Sequence, residues 1–274
     1  MLKLPASPLC RTHKPMSTLA RKTLPIGIQS FAKIREGHYY VDKTSFAQRL
    51  IERGKYYFLS RPRRFGKTLF LDTLKELFEG NQALFTGLAI HDQWDWSQRF
   101  PVIRFSFGGC TLKNLAELTD VLHQQLAEHE RRFELPARYP DNTGRFRDLI
   151  EQLHQQSGQS VVVLVDEFDK PILEQIDHPA IAEAMRRELT GFYSVIKDQD
   201  AHIHFAFLTV VAKFTRGSLF SGLNNLQDIT LDPHYSALCG YADKYRASGL
   251  PISLIGVEFS REARNVVGFE VEQA

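Results

Sequence analysis

The sequence predicts an α/β protein with a parallel sheet flanked by helices, and three observations carry that expectation. A short apolar run, Tyr56-Tyr57-Phe58-Leu59, feeds a basic loop from Ser60 to Gly66 and then a helix-like stretch opened by Lys67-Thr68. A second run, Ser160-Val161-Val162-Val163-Leu164-Val165, is continuously apolar and rich in β-branched residues, as expected of a central parallel strand buried on both faces, and it ends in Asp166-Glu167. Strand-like and helix-like stretches alternate along residues 24–240, which implies crossover connections and hence a parallel sheet wound right-handedly.

The elements follow in order. A short helix is expected at 30–36 and an extended piece at 38–41. Asp42 to Thr44 then cap a helix through about Arg53, with Phe46, Leu50 and Ile51 on one face and Gly54 ending it. After the strand at 56–59 comes a helix from Thr68 to Phe78, closed by Gly80. Trp94 and Trp96 fall in a loop, and Pro101 to Phe107 alternates into a second strand. Leu112, Leu115, Leu118, Val121, Leu122 and Leu126 recur at helical spacing over 112–131, as do Phe146, Leu149, Ile150 and Leu153 over 143–157. Both read as amphipathic cover for the sheet. Beyond the strand at 160–165, a helix at 179–197 leads to a strand from His204 to Thr209, and Asp228 to Leu231 forms a fifth.

Bulk composition narrows the class without naming a function. At 274 residues, 43% hydrophobic and 24% charged, the chain suits one such domain plus extra segments. It holds no apolar stretch of about 18 residues that would span a bilayer. A formal net charge of +2 gives no argument for a nucleic-acid partner. Cys10, Cys110 and Cys239 lie far apart without metal or disulfide spacing, which fits a reducing cytoplasm. The stretch Met1 to Pro15 lacks the apolar core of a secretory signal, and its three prolines suggest a disordered tail over 1–23. Met16 is the expected natural start. The ten histidines show no metal spacing and are assigned no chemistry.

The chemistry rests on two pieces. Arg61-Pro62-Arg63-Arg64-Phe65-Gly66-Lys67-Thr68 reads as a phosphate-binding loop in which Arg61 stands where the usual pattern has its first glycine. Such a loop supplies backbone amides for phosphate oxygens, a lysine for the β and γ phosphates and a hydroxyl for magnesium. Arg63, Arg64, Phe65, Gly66, Lys67 and Thr68 are therefore the expected nucleotide contacts. Because a non-glycine residue resists positive φ, Arg61 is expected to change how the chain enters the loop, with weakened binding as one consequence this could have. The alternative is a surface loop whose arginines merely face water. The second piece is the Walker B arrangement, in which Asp166 holds magnesium, directly or through water, and Glu167 polarises the attacking water; the alternative is an ordinary acidic turn after a strand. Thr209 ends the next strand, where a polar residue would sense the γ-phosphate; a buried threonine satisfying its own backbone is the competing reading. Lys213 and Arg216 follow as candidates for neutralising transition-state charge, from this chain or a neighbouring one, against the alternative of a solvated basic helix end.

With these residues in hand, the chain resembles the bacterial family of AAA-ATPase-like proteins that commonly carry a PD-(D/E)XK nuclease-like C-terminal domain. The likeness runs from Leu24 to Tyr241. Its markers are Leu24-Pro25-Ile26-Gly27-Ile28, Tyr39 to Thr44, Arg61 to Thr68, Asp166-Glu167-Phe168-Asp169-Lys170-Pro171, and Leu219 to Leu226. Arginine at the first glycine position looks like the family habit. The resemblance implies a P-loop NTPase of the ASCE type, with the Asp166-Glu167 strand between the loop strand and others, ATP and Mg2+ as ligands, and a domain over 24–240. It leaves homo-oligomerisation and any protein or nucleic-acid client open.

Residues 241–274 look like a short α+β remnant of the nuclease-like domain, its last helix and two strands. No acidic pair with a lysine on adjacent strands remains, so metal-dependent DNA cleavage is not expected and Glu258 is read as structural. A deletion between two Gly-Tyr dipeptides would account for the junction at Gly240-Tyr241. Ile252, Leu254, Ile255 and Val257 would then be left without their usual partners unless they dock on the main domain. The expected function is a Mg-dependent ATPase, with a nucleotide-gated interaction module or an inactive remnant as alternatives.

Overall fold

The computed structural model describes residues 22–211 and 225–240. The tail 1–21, the segment carrying Lys213, Arg216 and Leu219 to Asn224, and the stretch 241–274 lie outside the described residues, together with the expectations placed on them. Thr23, at the boundary drawn from sequence, pairs with His38, whose neighbour Tyr39 donates its N–H to Thr23 O at 2.9 Å.

The elements in chain order are α1 (Phe31–Gly37), α2 (Thr44–Arg53), β1 (Tyr56–Ser60), α3 (Lys67–Phe78), β2 (Val102–Ser106), α4 (Leu115–Arg132), α5 (Asn142–Ser157), β3 (Val161–Asp166), α6 (Lys170–Leu173), α7 (Pro179–Asp198), β4 (Ile203–Val210) and β5 (Gln227–Asp228). All five strands run parallel in the order β2-β3-β4-β1-β5. The Asp166-Glu167 strand β3 thus lies between the loop strand β1 and the edge strand β2, with β4 inserted beside β1.

Alternation along the strands sorts the core into two layers. Ile103, Phe105, Val161, Val163, Val165, Ala206 and Leu208 face α4, α5 and α7, whereas Tyr57, Leu59, Val162, Leu164, Phe205 and Phe207 face α2 and α3. Every residue of β1 and β3 is buried, as a strand covered on both faces requires. Among the described residues no helix is long and apolar enough to cross a membrane.

Beyond shifts of a residue or so at element ends, two boundaries and one additional helix differ from the sequence expectation, each for a local reason. Helix α4 starts at Leu115, not 112, because the Asn114 side chain accepts the Glu117 N–H at 3.0 Å while Glu117 reaches back to the Lys113 N–H at 2.7 Å. The fifth strand stops at Asp228 because its Oδ1 accepts the Thr230 N–H at 2.8 Å and turns the chain. Thr230 Oγ1 then accepts the Ser60 N–H at 3.0 Å, where a ladder carbonyl would otherwise sit. The four-residue helix α6 was hidden because Pro171, at its first turn, reads as a breaker although it is tolerated there.

Candidate functional site

The register brings the C-terminal ends of four strands to one edge of the sheet. Leu59 lies beside Thr209, Val165 beside Leu208, and Ser106 beside Asp166. This is the edge at which parallel α/β sheets place ligands, since their loops and helix N-termini gather there.

The basic loop leaves β1 at this edge. Arg61 does not sit at positive φ; the left-handed residues are Arg64 (φ 65°) and Gly66 (φ 87°). The expectation that an arginine at 61 distorts the start of the loop is therefore corrected: the turn that needs freedom lies at 64–66. Arg61 instead acts as a brace, its N–H donating to Val210 O at 3.3 Å and its Nη1 to Ser60 O at 3.2 Å and to Thr230 O. Gly66 is the N-cap of α3 and supplies no side-chain cap, so the first amides of that helix face the loop without a side-chain partner.

Lys67 is only 3% exposed, and its Nζ donates to Arg61 O at 2.7 Å and Pro62 O at 3.0 Å. Burial pushes its ammonium below the ordinary lysine range, while the carboxylates of Glu167, Asp166 and Asp169 act in the opposite direction. The lysine of the loop and the acidic pair thus share one electrostatic neighbourhood. Thr68 is half-buried in the first turn of α3, whereas Arg63 and Arg64 are exposed. Phe65 packs against the core on the α3 side, and its carbonyl accepts the Gly240 N–H at 2.9 Å.

Asp166 ends β3 at 1% exposure, and its Oδ1 accepts the Thr209 hydroxyl at 2.8 Å. Glu167 adopts φ 52°, a left-handed backbone that costs a non-glycine residue about 1–2 kcal/mol. Its carboxylate runs over Gly108, where an added Cβ would come within 3.5 Å of Oε2.

Three residues to which sequence reasoning gave no specific role turn out to wire the site together. Lys43 Nζ donates to Gly240 O at 3.1 Å and to Ala237 O, fastening the 235–240 turn behind the loop. Asp169, fully buried, accepts the Val211 N–H. Lys170 Nζ donates to Gly108 O at 2.7 Å and Cys110 O at 2.6 Å, holding the β2–α4 loop beside Glu167. Cys239 lies buried behind the loop among Lys43, Arg61 and Lys67, and burial lifts its thiol to about 11, which keeps it protonated.

The sheet order and this edge define an α/β domain of the P-loop NTPase type. The chain belongs to the family described as Predicted AAA-ATPase, whose model matches residues 25–220. It is 57% identical over 227 residues to a protein of Azotobacter chroococcum mcd 1 described as an uncharacterized protein in the vnfD 5′ region, a match that covers 82% of this chain and 44% of that protein. The chain accordingly spans less than half the length of that relative. No solved structure matches it.

Proposed function

We propose that this chain binds ATP at the 61–68 loop and hydrolyses it to ADP and phosphate in a Mg2+-dependent reaction. The observation that carries the reading is the buried Lys67 at an uncapped helix start, within the field of Asp166 and Glu167 at the aligned end of β3. In this reading the loop amides from Arg63 to Thr68 cradle phosphate oxygens, and Lys67 exchanges its two carbonyl partners for the β and γ phosphates. Glu167 orients the attacking water and accepts its proton.

The donor set suits magnesium. Thr68 offers a hydroxyl and Asp166 a carboxylate oxygen beyond the one bonded to Thr209, the small protein share that this ion takes when phosphate and water complete its shell. When bound there, magnesium neutralises phosphate charge. Among the described residues no group of three or more His, Cys, Asp or Glu would hold a metal without such help.

The test is ATP binding and phosphate release by the full chain beside Lys67→Ala and Glu167→Gln. We expect Lys67→Ala to lose binding, and Glu167→Gln to keep binding while turnover falls about 100- to 10,000-fold. A wild-type chain that binds no ATP overturns the reading. Binding without turnover points instead to a nucleotide-gated interaction module, and size measurement with and without nucleotide then shows whether the chain assembles with itself.

A further inference from the structure

Thr209 sits where a sensor of the γ-phosphate is expected, but its bonding assigns it a different task. A hydroxyl has one hydrogen to donate. In Thr209 that hydrogen goes to Asp166 Oδ1 at 2.8 Å, and Thr209 Oγ1 in turn accepts the Glu167 N–H at 3.1 Å. The Thr209 carbonyl accepts the next amide, Phe168 N–H, at 3.1 Å. The side chain is fully buried, with no surface facing the loop. To reach a phosphate oxygen it would have to release Asp166.

Both residues it holds need holding. Glu167 lies in a left-handed backbone that it would leave if its N–H were unpaired, because an L side chain gains by moving to negative φ. Asp166 has two oxygens, and the bond to Thr209 ties Oδ1 to β4 while Oδ2 is not part of that bond. We infer that Thr209 is a positioning residue: through one hydroxyl it sets the backbone of Glu167 and the rotamer of Asp166, and it makes no contact with nucleotide. The inference rests on the ATPase reading for its effect on turnover, but not for its structural content.

The experiment therefore has two arms, run on the full chain as wild type, Thr209→Val and Thr209→Ser. Valine keeps the shape and removes the hydroxyl; serine keeps the hydroxyl. Without nucleotide, hydrogen exchange of the Glu167 amide should speed up about 10-fold or more in Thr209→Val and stay at the wild-type rate in Thr209→Ser. With nucleotide, Thr209→Val should show kcat lowered about 100-fold, a higher Mg2+ concentration for half-maximal rate and an unchanged ratio of ATP to ADP affinity, with Thr209→Ser restoring all three. An unchanged Glu167 amide in Thr209→Val overturns the inference, as does loss of ATP-over-ADP preference, which marks a direct phosphate contact. A wild-type chain without ATP binding defeats the ATPase reading alone, and the exchange arm still decides whether Thr209 holds Glu167.

Discussion

Arg61 shows how far a single position can be misread from a motif. The pattern asks for glycine there, yet the backbone does not, and the guanidinium spans from the loop to Ser60 O and Thr230 O. Arg61→Gly would remove charge-assisted hydrogen bonds and add unfolded-state freedom. We expect it to lower stability by about 1–3 kcal/mol in urea titration and to leave nucleotide affinity no better than wild type; tighter binding by the glycine variant would refute the brace. The positions of Lys67, Thr68, Asp166 and Glu167, at the start of α3 and the end of β3, were legible because short, local motifs fix their neighbourhood. The bonds of Arg61 to Thr230 O, Lys43 to Gly240 O and Thr209 to Asp166 were not, because those partners lie far away in sequence and only the closed sheet brings them near.

At the scale of elements, the edge strand β2 is protected by the helix that follows it. Gln125 Oε1 accepts the Ser106 N–H at 2.7 Å, and His129 Nε2 lies 2.9 Å from Arg104 O and 3.2 Å from Arg104 N, so α4 occupies backbone groups that would otherwise recruit another strand. Burial depresses the pKa of His129, and burial with the nearby Lys55 charge does the same for His204, whose ring stacks on Phe100 at 4.2 Å. Below about pH 6.5 the unfolded chain takes up protons that the folded chain refuses, so the stability present at neutral pH declines as pH falls toward the depressed folded values. Thermal melts between about pH 8 and pH 5 should show this decline, and His129→Gln should flatten it; an unchanged slope in that variant would assign the decline elsewhere. The helical period of α4 was plain in the sequence. That two of its polar residues serve a neighbouring strand was not, because periodicity marks a face without saying what it touches.

At the scale of the whole molecule, the strand and helix order followed from alternation of apolar runs, and the parallel sheet from the lengths between them. The aromatic packing that ties the layer of α5 and α7 to the sheet did not follow. Phe105 meets Phe146 and Phe192 edge-on, each at 5.1 Å, at the centre of that layer. Phe105→Ala should cost about 3–5 kcal/mol, read as a lower urea midpoint at unchanged slope. A loss under about 1 kcal/mol would mean that the layer repacks around the gap. The two layers also explain the position of the site: with both faces of the sheet covered, only its strand ends remain for chemistry.

The two carbonyl oxygens that hold Lys67 give the site a resident ligand of its own. With its ammonium already buried and bonded to Arg61 O and Pro62 O, Lys67 would meet the proposed phosphate by exchange, not by filling a vacancy. Folding has carried out the dehydration beforehand. The two carbonyls such an exchange would release, Arg61 O and Pro62 O, lie just past the end of β1.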